Sequence, residues 1–157
     1  MKKVFLLLAV SLVAFASCEK GDGLKPNPSG SVQADILEND GIVISSGGQN
    51  IAVVSWMEPE NIKVNNFFTD GTNKVSICAL GKVNGLGAIK EIPSTGFTTP
   101  ALMNSSTKCE VRHGYVVKVE YGSATVYLRM YIEKTIVNKE TEKNMGAVVR
   151  YQYPFTE

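Results

Sequence analysis

Tyr115-Val116-Val117-Lys118-Val119-Glu120-Tyr121, Gly122-Ser123, Ala124-Thr125-Val126-Tyr127-Leu128-Arg129-Met130-Tyr131-Ile132 is two β-branched and aromatic runs facing each other across a two-residue turn. Glycine in the first place of such a turn selects type II′, whose twist matches that of the flanking strands. The turn sets Tyr121 opposite Ala124, so Val119 meets Val126, Val117 meets Leu128 and Tyr115 meets Met130. All these pairs are apolar. The alternate pairs, Glu120 with Thr125, Lys118 with Tyr127 and Val116 with Arg129, bring the charged and polar side chains together. One face therefore belongs to a core and the other to water. A slip of one residue would send the whole apolar set outward, so turn chemistry and burial select the same register.

Downstream, 146–153 repeats the alternation, with Ala147, Val149, Tyr151 and Tyr153 on one side and Val148, Arg150 and Gln152 on the other. It supplies a third antiparallel strand after the loop 138–144, whose Lys139, Glu140, Glu142 and Lys143 read as a solvated tip. Upstream, short β-branched bursts at 41–45, 51–57, 62–65 and 75–83 are broken by Gly47-Gly48, Glu58-Pro59, Asp70-Gly71 and Gly85-Leu86-Gly87. No window sustains a helical period. A sheet with one apolar face needs a cover, and 41–83 is the material for one. The expected fold is all-β, a small antiparallel sandwich or partly open barrel with a C-terminal three-stranded meander. Trp56, Phe67, Phe68 and Phe97 would be the aromatic share of the second sheet, and proline-bounded 92–100 an extended crossing.

The chain has 157 residues, 44% hydrophobic and 20% charged, enough for one core. Its first part reads as an address. Met1-Lys2-Lys3 is a basic start, 4–13 is apolar apart from Ser11, and Ala16-Ser17 puts small residues before Cys18. The apolar run is too short for a membrane span, which takes roughly 20 residues. A cysteine in that setting resembles the lipobox of bacterial lipoproteins, with 1–17 as signal peptide and Cys18 as the lipidated new N-terminus; a secreted protein with a cysteine there is the alternative. Residues 18–31, rich in Gly, Pro and Ser, read as a tether, and 32–157 as the β-rich domain. The membrane, reached through the lipid, is thus an expected partner, and the outer membrane of a bacterial envelope, on its periplasmic or surface side, the expected location.

Asn66-Phe67, Leu80-Gly81-Lys82-Val83-Asn84-Gly85-Leu86-Gly87, Ile92-Pro93-Ser94-Thr95-Gly96-Phe97, His113-Gly114-Tyr115-Val116-Val117, Tyr127-Leu128-Arg129 and Tyr151-Gln152-Tyr153-Pro154-Phe155 follow one another in order. This set resembles a module of uncharacterised lipoproteins from Bacteroidetes-type gut bacteria. The resemblance implies a cell-envelope domain and carries over no catalytic residue, cofactor or reaction.

Chemistry read from the residues is sparse. A formal charge of +1 lacks the basic footprint of a nucleic-acid binder. One histidine and three cysteines leave too little for a structural zinc site once Cys18 is lipidated. Cys78 and Cys109 either close a disulfide, worth roughly 3–4 kcal/mol in loop entropy, or stand as two free thiols. His113 sits before Gly114 at a strand mouth with no Gly-x-Ser-x-Gly elbow in the chain, so it reads as a turn histidine. Gly85-Leu86-Gly87 and Asn39-Asp40-Gly41 read as turns, not as phosphate or calcium loops. No cofactor and no enzyme activity is expected. Tyr127 and Tyr131, on the wet face beside Arg129 and Lys118, are the candidate binding surface, for a protein or a sugar ring, unless they only cover the sheet. The expected role is a structural or protein-interaction module, with a carbohydrate-binding accessory as the alternative.

Overall fold

The computed structural model describes residues 23–68 and 73–156. The leader, Cys18, the start of the tether and the Asp70-Gly71 turn lie outside these residues. Nine strands follow in chain order: β1 Val32–Leu37, β2 Ile42–Ser46, β3 Gln49–Met57, β4 Asn61–Asn66, β5 Lys74–Lys82, β6 Asn104–Lys108, β7 His113–Tyr121, β8 Ala124–Val137 and β9 Asn144–Gln152. A single 3-10 turn, Leu86–Ala88, is the only helical element among the described residues. The strands form two antiparallel sheets, β1-β9-β8-β7-β5 and β2-β3-β4-β6, in the manner of a small β-sandwich.

The hairpin stands in the expected register, with Tyr115 opposite Met130, Val117 opposite Leu128 and Val119 opposite Val126. Gly122 takes φ +56° and Ser123 does not go positive, as a type II′ turn requires. β9 joins β8 to complete the meander. Between the sheets lies the main core: Ile36 and Ala147 at one side, Val117, Leu128, Met130 and Ile132 in the middle, and Ile44, Val54, Trp56 and Ile62 from the facing sheet. Each of the Val, Leu, Ile and Met side chains among them contributes about 1.5–3 kcal/mol by leaving water.

Three expectations change. β5 pairs with β7, so it belongs to the meander's sheet and not to the cover. Its crossing is held by Asn66, whose buried side chain donates to Asn73 O at 3.0 Å and Leu102 O at 2.8 Å and accepts from Phe68 N. The fourth strand of the cover is instead β6, Asn-Ser-Ser-Thr-Lys, with Ser105 as its one buried residue. β1, which lies ahead of the first expected strand at 41–45, closes the open edge of β9.

The outer face of the five-stranded sheet is not wet either. Leu86, Ile89 and Phe155 pack there on Val116 and Tyr131, with Ile92, Phe97 and Tyr127 around them. Phe97 therefore belongs to this second cluster and not to the second sheet, while Phe67, half exposed, joins neither core. The covering segment is pressed close: a Cβ on Gly114 would come within 2.8 Å of Ile89 Cδ1, and one on Gly87 within 1.9 Å of Pro26 O. Part of the expected tether is docked as well, since Lys25 N donates to Asn84 O at 2.7 Å and Gln152 Nε2 to Ser29 O at 3.0 Å.

Candidate functional site

The residues singled out from the sequence come apart. Tyr131 is 7% exposed and sits under the 84–97 cover. Arg129 is spent inside the fold: Nη1 donates to Ile89 O, Nε to Gln152 Oε1 at 2.8 Å and Nη2 to the same oxygen, and its guanidinium lies 4.5 Å from the Phe155 ring centre. Lys118 pairs with Glu120 along β7. Tyr127 alone keeps an opening, a shallow cleft of about 410 Å³ with Ile92, Thr125, Pro154 and Phe155. The two tyrosines, the sole support for a sugar-stacking role, therefore form no open platform: Tyr131 is covered and Tyr127 stands at the edge of a shallow cleft. The alternation marked Val116 and Tyr131 as outward-facing but carried no sign that 84–97 and 154–156 return over that face.

The two cysteines are free and buried. Cys78 pairs with Val116 and bonds Thr95 O through Sγ at 3.6 Å, on the outer side of the five-stranded sheet. Cys109 lies in the core between the sheets. The sheet itself separates them, so of the two readings the free thiols describe this structure. Burial raises the Cys78 thiol, and burial with Glu60 and Glu110 nearby pushes Cys109 up to about 12. Neither is a poised nucleophile. His113 Nδ1 lies 3.0 Å from Glu110 Oε2, in the turn where Tyr115 Oη donates to Lys108 O and accepts from Glu110 N, both at 2.9 Å. It acts as a turn histidine.

What the topology gathers, and the linear order does not reveal, is one end of the sandwich. Loop 38–41 after β1, turn 58–60 after β3 and the start of β9 meet there. Asn144 Nδ2 donates to Glu60 Oε1 at 2.9 Å, and Cys109 N to Glu60 O at 2.8 Å, which fastens the turn to its neighbours. A cleft of about 330 Å³ opens between them, with Leu37, Trp56 and Met145 as its apolar wall and Glu38, Asp40 and Glu58 at its rim. The three carboxylates have no ion-pair partner among the described residues. Trp56 is 1% exposed and its indole N–H has no hydrogen-bond partner among the described residues. A buried donor left so costs about 1–3 kcal/mol.

The same loop 38–41 borders a second groove, of about 360 Å³, on the outer face of the four-stranded sheet, where Val43, Val53, Asn65 and Phe67 line it. Val43 and Phe67 are 46% and 49% exposed. In the sequence the acidic residues show only as turn punctuation, at Asn39-Asp40-Gly41 and Glu58-Pro59. Among the described residues no group of three or more His, Cys, Asp or Glu side chains is placed to hold a metal ion, and no helix is long and apolar enough to cross a membrane. No family model, curated protein or solved structure matches the chain, so the resemblance to envelope lipoproteins gains no support from these comparisons.

Proposed function

We propose that this chain is a lipid-anchored envelope module that docks a protein partner on the outer face of its four-stranded sheet. The observation that carries the reading is an asymmetry between the two sheets. The five-stranded sheet is covered by the chain's own 84–97 and 154–156, whereas the four-stranded sheet keeps Val43 and Phe67 half exposed beside a groove. Half-exposed apolar side chains grouped on a rigid sheet and edged by polar groups suit a protein interface. The acidic rim of that groove, Glu38 and Asp40, favours a partner with basic as well as apolar side chains. The anchor rests on the sequence of residues 1–18, and the buried, proton-holding thiols and the paired His113 favour binding over catalysis.

Two measurements test the two halves. A photo-crosslinking side chain placed at Val43 or Phe67 in the producing cell is expected to give a discrete adduct with one protein, and the same group at Tyr127 none. Equal labelling from all three positions, or none from Val43 and Phe67, retires the docking face. Radiolabelled fatty acid is expected to enter the wild-type chain and not Cys18→Ser; label in both, or in neither, retires the anchor.

A further inference from the structure

The end cleft is an independent cavity that shares only loop 38–41 with the docking groove. Its chemistry is specific. Three carboxylates without an ion-pair partner among the described residues stand at the mouth, and among these residues they do not converge as metal ligands would. Below them the wall is hydrocarbon and indole: Leu37, Met145, which is 45% exposed, and Trp56. On the far side of Glu58 the next groove brings Lys143 together with Glu60 and Glu142, so Lys143 has acidic neighbours of its own there.

A group that fits must carry positive charge at the height of the rim and apolar surface beneath it. Arginine and lysine have this form, a charged head on a methylene stem. A free metal ion lacks the stem, and an aliphatic ligand leaves the carboxylates unanswered. Resting on the docking function above, we propose that this cleft takes an arginine or lysine side chain from an extended segment of the protein partner, with the segment continuing over loop 38–41 toward Val43 and Phe67. The rim then sets which partner is accepted, through charge, and the sheet groove supplies the apolar contact.

Trp56 is the chain's sole tryptophan, so its fluorescence and its indole NMR signal come from one side chain, which lines this cleft and packs in the core behind it. The probe is the capped peptide Gly-Val-Arg-Val-Gly, beside versions carrying norleucine or glutamate in place of arginine, with spermidine as a free-amine control. The arginine peptide is expected to shift the Trp56 signals saturably and the norleucine and glutamate peptides not to. Asp40→Asn with Glu58→Gln is expected to weaken that binding about tenfold or more. Both side chains are exposed, so an unchanged melting curve shows that the fold is intact. No saturable shift with the arginine peptide, an equal shift with norleucine, equal affinity for spermidine, or indifference to the double variant would each overturn the proposal. Adducts at Val43 and Phe67 alongside a silent Trp56 would overturn this cleft and leave the docking face standing. Peptide binding at Trp56 without those adducts would do the reverse.

Discussion

Cys109 is a thiol with no room for a charge. It lies between the sheets, 5% exposed, with Glu60 and Glu110 close enough to oppose ionisation, and its pKa is pushed from 9.0 to about 12. Because the folded value is the higher one, the stability tied to this proton is complete below pH 9. It is lost as pH climbs from 9 toward 12, where the unfolded chain releases the proton first. Cys78 is raised in the same direction and adds to the loss. Tyr115 is raised too, by burial, and joins once the pH passes the ordinary tyrosine range. The unfolding free energy read from urea melts is therefore expected to fall between about pH 9 and 11, with Cys109 contributing up to about 1.4 kcal/mol per pH unit. Cys109→Ala is expected to flatten part of that slope, and an unchanged slope would contradict the assignment. At this scale little was legible in advance. The spacing of Cys78 and Cys109 permits a bridge, and only the side of the sheet each side chain takes decides against it. That side follows from Cys78 of β5 pairing with Val116 of β7 and from Cys109 leaving β6 at the core, neither of which a linear pattern contains.

Strands announce themselves in proportion to how much of their identity is carried by their own side chains. The β7–β8 hairpin was legible to the residue because its apolar alternation and its Gly122 turn impose one register independently. Gly122→Val is expected to cost about 1–2 kcal/mol, since a β-branched residue resists φ +56°, and to lower the melting temperature by several degrees. A variant that melts like the parent would show that the turn does not hold the register. β6 is the opposite case. Asn-Ser-Ser-Thr-Lys has no apolar alternation, and it is a strand because β4 offers it a ladder, with Val64 opposite Ser105 and Ile62 opposite Thr107. β5 had the right composition, but its partner was misread, because Asn66 organises a crossing between sheets through main-chain oxygens at 73 and 102. The candidate tyrosine surface failed for a related reason: alternation assigns a face, whereas the cover over that face comes from glycine-punctuated segments without a period. The acidic cleft escaped notice because its residues come from loops far apart in the chain.

The pairing of β1 with β9 makes the whole molecule depend on its N-terminal arm. Ile36 on β1 is 0% exposed, and Gly146 on β9 has room for no side chain because Ile36 O would lie 2.3 Å from its Cβ. β1 also carries the chain from the five-stranded sheet into loop 38–41, and so places the acidic rim of the proposed cleft. Residues 23–31 contribute much less, since Leu24 is half exposed and their ties to the rest are the Lys25 N–H to Asn84 O bond and the Gln152 side chain donating to Ser29 O. Two shortened chains separate these roles. One starting at Val32 is expected to fold with a loss of about 1–2 kcal/mol, seen as a modestly lower urea midpoint. One starting at Gly41 loses the strand that pairs residues 146–151 and bares the long edge of β9, where unpaired N–H and C=O groups invite another chain. It is expected to form aggregates on size-exclusion chromatography and to lose its cooperative melt. If it stays monomeric with the parent's melting temperature, β1 is an ornament on a four-stranded sheet, and the acid-rimmed cleft rests on a movable arm instead of a structural edge.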